Sequence, residues 1–398
     1  MQLNKTTIKI VAVTAAITCI LTNTVRDVLY VHNSGAVTNK VKKVANIIDK
    51  YGLYDVDEEK MVDYAATGLA VAVDDYYTNY YNRQEFASFN TNLSNSFYGI
   101  GIVISVDVDE YKLVVVSPIE GGPSAIAGIL PGDYIVAVNG VEYNAEQMNE
   151  AVSVMRGDDI DNKKGTQVTI TVERNGKRSD YVITRDMVNI SSVSHKMFDD
   201  GIAYVRINSF NAVEDKSDGA QDTYDEFINA IDTLEQEGMK KLIIDLRNNP
   251  GGSLNVVTQI ADKLLPAGII TYTETKNGKR EEYFSDDNEL GLPMVVLVNE
   301  GSASASEVLT GALKDYKKAT IIGTKTFGKG IVQSVIPLGD GSGISLTTSK
   351  YYSPNGVCIH GVGIEPDIVV QADETKQISD LSVEEDVQLQ KAIEVLKQ

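Results

Sequence analysis

The chain has 398 residues, 43% of them hydrophobic and 23% charged, an ordinary globular composition with room for two or three domains. A formal net charge of −20 excludes nucleic acid as a partner, because phosphates demand a basic face, and two cysteines are too few for a disulfide framework. Neither Cys19 nor Cys358 has metal-ligand spacing, and His32, His195 and His360 stand apart from one another, so no metal site is expected.

The N-terminus, "MQLNKTTIKIVAVTAAITCILTNTV", sets Lys5 and Lys9 ahead of an apolar run at 10–21. This is the layout of a signal sequence, and it is short for a spanning helix of roughly 20 residues. No small-residue cleavage site follows directly. Residues 1–30 therefore read as an uncleaved membrane anchor, with a removed signal as the alternative, and the rest of the chain as extracytoplasmic.

Residues 31–95 read as helical, with Val41, Val44, Ile47 and Ile48 at helical spacing. Asp57 is placed to cap a second helix that has acids in its first turn and Met61, Tyr64, Ala65 and Leu69 on one face. Gly68 inside that helix costs propensity and points to close packing there.

From residue 96 the pattern becomes short β-branched runs, "YGIGIVISVD" and "YKLVVVSPI", then "GGPSAIAGILPGDYIVAVNG" and an amphipathic helix, "NAEQMNEAVSVM". "QVTITVERNGKRSDYVITRD" is a strand pair joined by Asn175-Gly176, a strong hairpin signal. Residues 96–187 resemble a PDZ domain. The resemblance implies that backbone N–H groups of Tyr98, Gly99, Ile100 and Gly101 cradle a peptide's terminal carboxylate. The peptide would add as a strand beside 101–106, Ile102 included. Met148, Ala151, Val152 and Met155 fall at i, i+3, i+4 and i+7, either as the apolar wall of that groove or as an ordinary core face.

Residues 188–370 alternate strands and helices. "KLIIDLR" and "MVVLVNE" are continuous apolar runs of the kind found in parallel strands covered on both faces. Each leads through small residues into a helix, which makes this an α/β core with its chemistry at the carboxyl ends of the strands. Residues 371–398 end in an amphipathic helix, "VEEDVQLQKAIEVLKQ". The fold class is thus multidomain α/β: an N-terminal helical segment, a PDZ-like domain, an α/β core and a C-terminal helix.

"NEGSASASEVL" holds Ser302, Ser304 and Ser306 with only alanines between them. Ser304-x-x-Glu307 also has the form of a capping box at the start of a helix. A nucleophilic serine needs a base, and no G-x-S-x-G elbow occurs. His360 lies in glycine-rich sequence, but no acid spacing marks it as part of a triad. Lys329 stands between Gly328 and Gly330, which a solvated lysine such as Lys325 would not require. To accept a proton from serine it must be neutral, its pKa lowered by burial from an ordinary value of about 10.4.

"GSASASEVLTGALKDYKKATIIGTKTFGKGIVQ", together with "LIIDLRNNPGG", "KYYSPNG" and "HGVGIEPDI", is similar to the carboxy-terminal processing peptidases, the Ser-Lys proteases of the tail-specific family. The resemblance covers most of the chain after the anchor. It implies a serine endopeptidase with Ser304 as nucleophile, Lys329 as general base and Gln333 orienting the amine. It also implies an oxyanion hole from the Ala305 N–H and Gly251, with Gly252 as the alternative, and no metal or organic cofactor.

Arg156 matches a position that couples peptide binding to activity in such enzymes. Substrates would be proteins with free, flexible carboxyl termini, and the helical flanks suit a homodimer. The chain departs from the family pattern at "DDYYTNY" and in the lengthened "RGDDIDNKKGT" after Arg156. Two rival expectations are a catalytically inactive PDZ scaffold that only binds peptide termini, and a Ser-His hydrolase using His360.

Overall fold

A computed structural model describes residues 35–93, 96–119, 121–157, 164–213, 216, 220–372, 378 and 381–398. The proposed anchor at 1–30 and most of the insertion after Arg156 lie outside the described residues. Among those described, no helix is long and apolar enough to cross a membrane.

The chain forms two compact units that divide after Asn82. The first contains α1 (Gly35–Tyr51), α2 (Glu58–Val71) and β1 (Asn79–Tyr81). Asp57 caps α2 as its sequence predicts, accepting the Lys60 N–H at 3.2 Å. No residue of α1 is buried, and Val41, Val44, Ile47 and Ile48 are all exposed. The segment is less uniformly helical than its pattern suggests, since a turn and β1 interrupt it before α3 (Arg83–Leu93) opens the second unit.

The PDZ-like part begins with β2 (Ser96–Gly99), β3 (Ile102–Asp107), β4 (Lys112–Pro118) and the short helix α4 (Pro123–Ala127). It continues with β5 (Tyr134–Val138), β6 (Val141–Glu142), α5 (Met148–Arg156), β7 (Gln167–Arg174), β8 (Lys177–Thr184) and β9 (Asp186–Asn189). Its sheet runs β3-β4-β5-β7-β8, with β3 at one edge. Asn175 and Gly176, at φ 51° and 74°, make the tight β7–β8 hairpin that their dipeptide predicts. β2 and β9, the strands that enter and leave this part, pair with each other in a separate two-stranded ribbon.

The core contains β10 (Val193–Phe198), β11 (Ile202–Ile207), α6 (Thr223–Gln236), β12 (Lys241–Asp245) and α7 (Leu254–Leu264). Then come β13 (Gly268–Thr275), β14 (Arg280–Ser285), β15 (Met294–Val298), α8 (Ala305–Asp315), β16 (Ala319–Gly323), β17 (Ile331–Pro337) and β18 (Gly343–Tyr352). β19 (Ile368–Val369) and α9 (Val387–Lys397) complete it. The main sheet runs β10-β11-β12-β15-β16-β19 and is parallel from β11 onward.

Alternate residues of its strands face opposite sides, which explains the continuous apolar runs. Leu242, Ile244, Val296 and Val298 pack under α6, α7 and α8, while Ile243, Val295 and Leu297 pack under α9 through Leu389, Ala392 and Leu396. A second sheet joins β14 to β13, β13 to β18 and β18 to β17, all antiparallel. β17 begins two residues after Lys329 and carries Gln333.

Candidate active site

Three loops meet at the carboxyl ends of the parallel strands: 246–253 after β12, 299–304 after β15, and 324–330 after β16. Ser304 is the last residue before α8 and has φ 55° and ψ −114°, a conformation that costs an L-residue about 1–3 kcal/mol and needs its surroundings to hold it. The Tyr351 hydroxyl donates to the Ser304 carbonyl at 2.9 Å. Burial, then the Glu307 charge, pushes the Tyr351 phenol well above its ordinary pKa, so it remains a donor.

Gly251, at φ +103°, allows the close approach. A Cβ there would lie 2.7 Å from the Ala303 carbonyl oxygen, 2.8 Å from the Ser304 Cβ and 2.9 Å from the Ala305 nitrogen. The strained strand-to-helix turn thus exists without a G-x-S-x-G sequence, because the glycine that makes room for it comes from another loop.

The other two serines bind these loops together. The buried Ser302 hydroxyl donates to the Leu246 carbonyl at 2.7 Å, and the buried Ser306 hydroxyl to the Asn249 carbonyl at 2.9 Å. The Ala303 N–H also donates to the Asn249 carbonyl, at 3.0 Å.

Glu307, only 1% exposed, does more than cap α8. Its Oε2 accepts the Ser304 N–H at 3.0 Å and the Lys329 N–H at 2.8 Å. Its Oε1 accepts the Gly328 N–H at 2.8 Å and the Thr326 hydroxyl at 2.6 Å. One buried carboxylate therefore fixes the backbone of both candidate catalytic residues. The sequence displays the capping box but not this reach to the 324–330 loop.

The Lys329 side chain is half-buried, and its Nζ donates to Gln333 Oε1 at 2.8 Å. Gln333 Nε2 in turn donates to the Ser345 hydroxyl at 3.0 Å, which fixes the amide's orientation. The flanking glycines lie against backbone, as their placement around a lysine implies. A Cβ on Gly328 would lie 3.0 Å from the Gly363 nitrogen, and one on Gly330 would lie 2.5 Å from the His360 nitrogen. His360 thus borders the loop through its main chain, and its side chain is exposed. Lys325 pairs instead with Glu365, at 2.9 Å on the surface.

Of the two candidate oxyanion glycines, Gly251 touches Ser304, whereas Gly252 lies against the Phe210 backbone. The Gly251 N–H donates to Asn249 Oδ1 at 2.9 Å. The Ala305 N–H, at the first position of α8, has no acceptor among the described residues, as expected of a helix N-terminus. No cluster of metal ligands occurs among the described residues.

In the PDZ-like part, β3 has an open edge at which a strand could add, and Ile102 begins it half-buried. Tyr98 and Gly99 belong to β2, Ile100 is a core residue, and Gly101 takes φ +67° against Val188. Ala151 and Met155 are core, while Met148 and Val152 are only partly buried. Arg156 ends α5 and is exposed. Arg185 carries no sequence signal of its own. It is buried where β8 gives way to β9, and its guanidinium caps α5 by donating to the Met155 and Val154 carbonyls at 3.0 and 2.8 Å.

The description "Peptidase family S41" matches residues 201–370, and "PDZ domain" matches residues 99–184. A carboxy-terminal-processing protease of Bartonella bacilliformis is 36% identical over 326 residues, covering 79% of this chain and 70% of its own length. A CtpA-like serine protease of Staphylococcus aureus (strain COL) is 36% identical over 337 residues. That match covers 83% of this chain and 64% of the staphylococcal one, so the chain spans a little under two thirds of that relative. An S41 protease structure from Bacteroides fragilis superposes with a TM-score of 0.52 at 16% identity, over 82% of this chain and 87% of that one, a likeness of fold alone. The chain belongs to peptidase family S41 and, within it, to the carboxy-terminal-processing proteases, with a PDZ domain preceding the S41 region.

Proposed function

We propose that the chain is an exported serine endopeptidase that cleaves near the carboxyl termini of unfolded or flexible proteins. The observation that carries the reading is the 2.8 Å hydrogen bond from Lys329 Nζ to Gln333 Oε1, on a loop tied through Glu307 to the strained turn of Ser304. A glutamine carbonyl orients the amine without adding a charge that would favour its protonated form.

Neutral Lys329 takes the proton of the Ser304 hydroxyl as the oxygen attacks the scissile carbonyl. Lys329 then gives that proton to the leaving amine. Water, deprotonated by the same amine, hydrolyses the acyl-enzyme and restores Ser304. The Ala305 N–H, at the positive end of α8, and the Gly251 N–H stabilise the oxyanion, the latter on turning from Asn249 Oδ1. The PDZ domain takes the substrate's terminal segment at the β3 edge, with Met148 and Val152 of α5 facing it and Arg156 linking capture to cleavage.

Residues 1–30 tether the protein on the outer side of a membrane, on the strength of their charge and apolar pattern. The exposed row Val41, Val44, Ile47 and Ile48 supports a homodimer.

The test is cleavage of casein by wild-type protein, Ser304→Ala and Lys329→Ala, with binding of peptides bearing free carboxyl termini measured alongside. Turnover by the wild type alone is expected. Equal turnover in all three would remove Ser304 and Lys329 from the chemistry, and peptide binding without any turnover would establish the inactive scaffold.

A further inference from the structure

Arg247 opens the loop that carries Asn249 and Gly251, and its side chain is 1% exposed. All five of its guanidinium N–H bonds find acceptors. Nε donates to Asp245 Oδ1 at 2.9 Å, and Nη2 to Asp245 Oδ2 at 2.6 Å. Nη2 also donates to Asp386 Oδ2 at 2.7 Å, while Nη1 donates to Asp386 Oδ1 at 2.9 Å and to Gln388 Oε1 at 3.0 Å. Asp245 is held in addition by the Tyr204 hydroxyl at 2.7 Å and by the Arg247 N–H at 2.9 Å.

Asp386 and Gln388 belong to the C-terminal segment, far from the S41 loops in sequence. Asp386 is the N-cap of α9 and accepts the Leu389 N–H at 3.0 Å, while Gln388 Nε2 donates to the Val370 carbonyl at 2.7 Å. Both are almost fully buried. Simple packing of α9 on the sheet would need only Leu389, Ala392 and Leu396, which cover the apolar strands. A bidentate, buried carboxylate–guanidinium pair adds a fixed direction, because its planar fork accepts little displacement.

We propose that the C-terminal helix, through Asp386 and Gln388, positions the 247–251 loop against Ser304 and is in this way required for turnover. The inference rests on the peptidase reading of Ser304. The chain of contacts is short. Asp386 fixes Arg247, Arg247 begins the loop, and Asn249 receives the Ala303 N–H and the Ser306 hydroxyl on either side of the nucleophile. Gly251, two residues on, touches the Ser304 Cβ position. Asp386 and Gln388 are positioning residues, acting on the site only through Arg247. A misplacement of about 1 Å at a reacting centre lowers a rate by about a hundredfold.

The test compares full-length Asp386→Asn with Leu396→Ala, which weakens the same helix through its apolar face. Steady-state cleavage of a peptide substrate, melting temperature, and amide hydrogen exchange over 247–253 are measured for each. Asp386→Asn is expected to lower kcat by about tenfold to a hundredfold with KM nearly unchanged, and to speed exchange across 247–253. Leu396→Ala is expected to lower the melting temperature while leaving kcat and the exchange of that loop as in the wild type. If kcat falls in both variants in step with melting temperature, or if Asp386→Asn behaves as wild type in rate and exchange, the proposal is wrong. Exchange needs no turnover. Absence of Ser304-dependent cleavage would therefore sink the peptidase reading, while the exchange data still decide whether Asp386 controls the loop.

Discussion

The backbone amides of Ser304 and Lys329 donate to the same oxygen, Oε2 of Glu307, at 3.0 and 2.8 Å. The relation between candidate nucleophile and candidate base is therefore fixed at the main chain by a residue that belongs to neither loop's function in the sequence reading.

Glu307→Ala should leave four donors without their acceptor: the buried Gly328 N–H and Thr326 hydroxyl, and the partly buried Ser304 and Lys329 N–H groups. The expected loss is at least about 2 kcal/mol in a urea melt, with casein cleavage falling below about a hundredth of wild type. Glu307→Gln keeps one acceptor oxygen but turns an NH2 group towards donors, so an intermediate loss is expected. Retention of full activity by either variant would show that the carboxylate does not hold the site.

Gln333→Glu provides a sharper test of the base. A carboxylate beside the Lys329 amine favours the ammonium form, so neutral lysine would be reached only at higher pH. The ascending limb of the kcat/KM profile should move to alkaline pH by about 1–3 units. Superimposable profiles for the two proteins would remove Lys329 from the role.

Legibility in the sequence followed the range of the interactions. The Asn175-Gly176 hairpin and the Asp57 cap depend on neighbours a few residues away and are present as their patterns predict; the apolar runs of β12 and β15 mark them as strands, although their pairing joins Leu242 to the distant Met294. The glycines around Lys329 imply a close backbone approach, but not that the approaching segment is the turn at 360–363. The binding roles of the Ser302 and Ser306 hydroxyls have no local signal because their acceptors, Leu246 and Asn249, are more than fifty residues away. The Arg247–Asp386 pair spans 139 residues, and no local pattern encodes it. The β13–β14 hairpin turns at Asn277-Gly278, the same dipeptide signal as in β7–β8, but the charged "KREE" that follows lacks the apolar alternation of a half-buried strand.

Gly251→Ala should separate the nucleophile turn from its supporting loop. The added methyl would meet the Ala303 carbonyl, the Ser304 Cβ and the Ala305 nitrogen, each within 3 Å, at a φ of +103° that alanine resists. A fall in kcat of about a hundredfold or more is expected, whereas Gly121→Ala, with open space around it, serves as a control for glycine's backbone freedom. Equal kcat for Gly251→Ala and wild type would show that the turn does not need this contact.

The acid limb of stability should report Asp386. Burial alone would raise its carboxyl, but the hydrogen bonds and charge of Arg247 outweigh that and hold it below the usual carboxylate value. A carboxylate whose folded pKa is depressed contributes stability above its unfolded pKa of about 3.9, and that contribution is lost as pH falls from there through the lower folded value. The stability gap between wild type and Asp386→Asn, read from urea melts, should be constant near neutrality and narrow below about pH 4. A gap that widens on acidification would contradict the pairing with Arg247.

Intact-mass detection of an acyl-enzyme tests the central claim most directly. A slowly turned-over activated ester should add its acyl mass to the wild-type chain, with peptide mapping placing the adduct on Ser304 and no adduct on Ser304→Ala or Lys329→Ala. An adduct on another residue, or one that forms on Lys329→Ala at the wild-type rate, would contradict a Ser304–Lys329 mechanism.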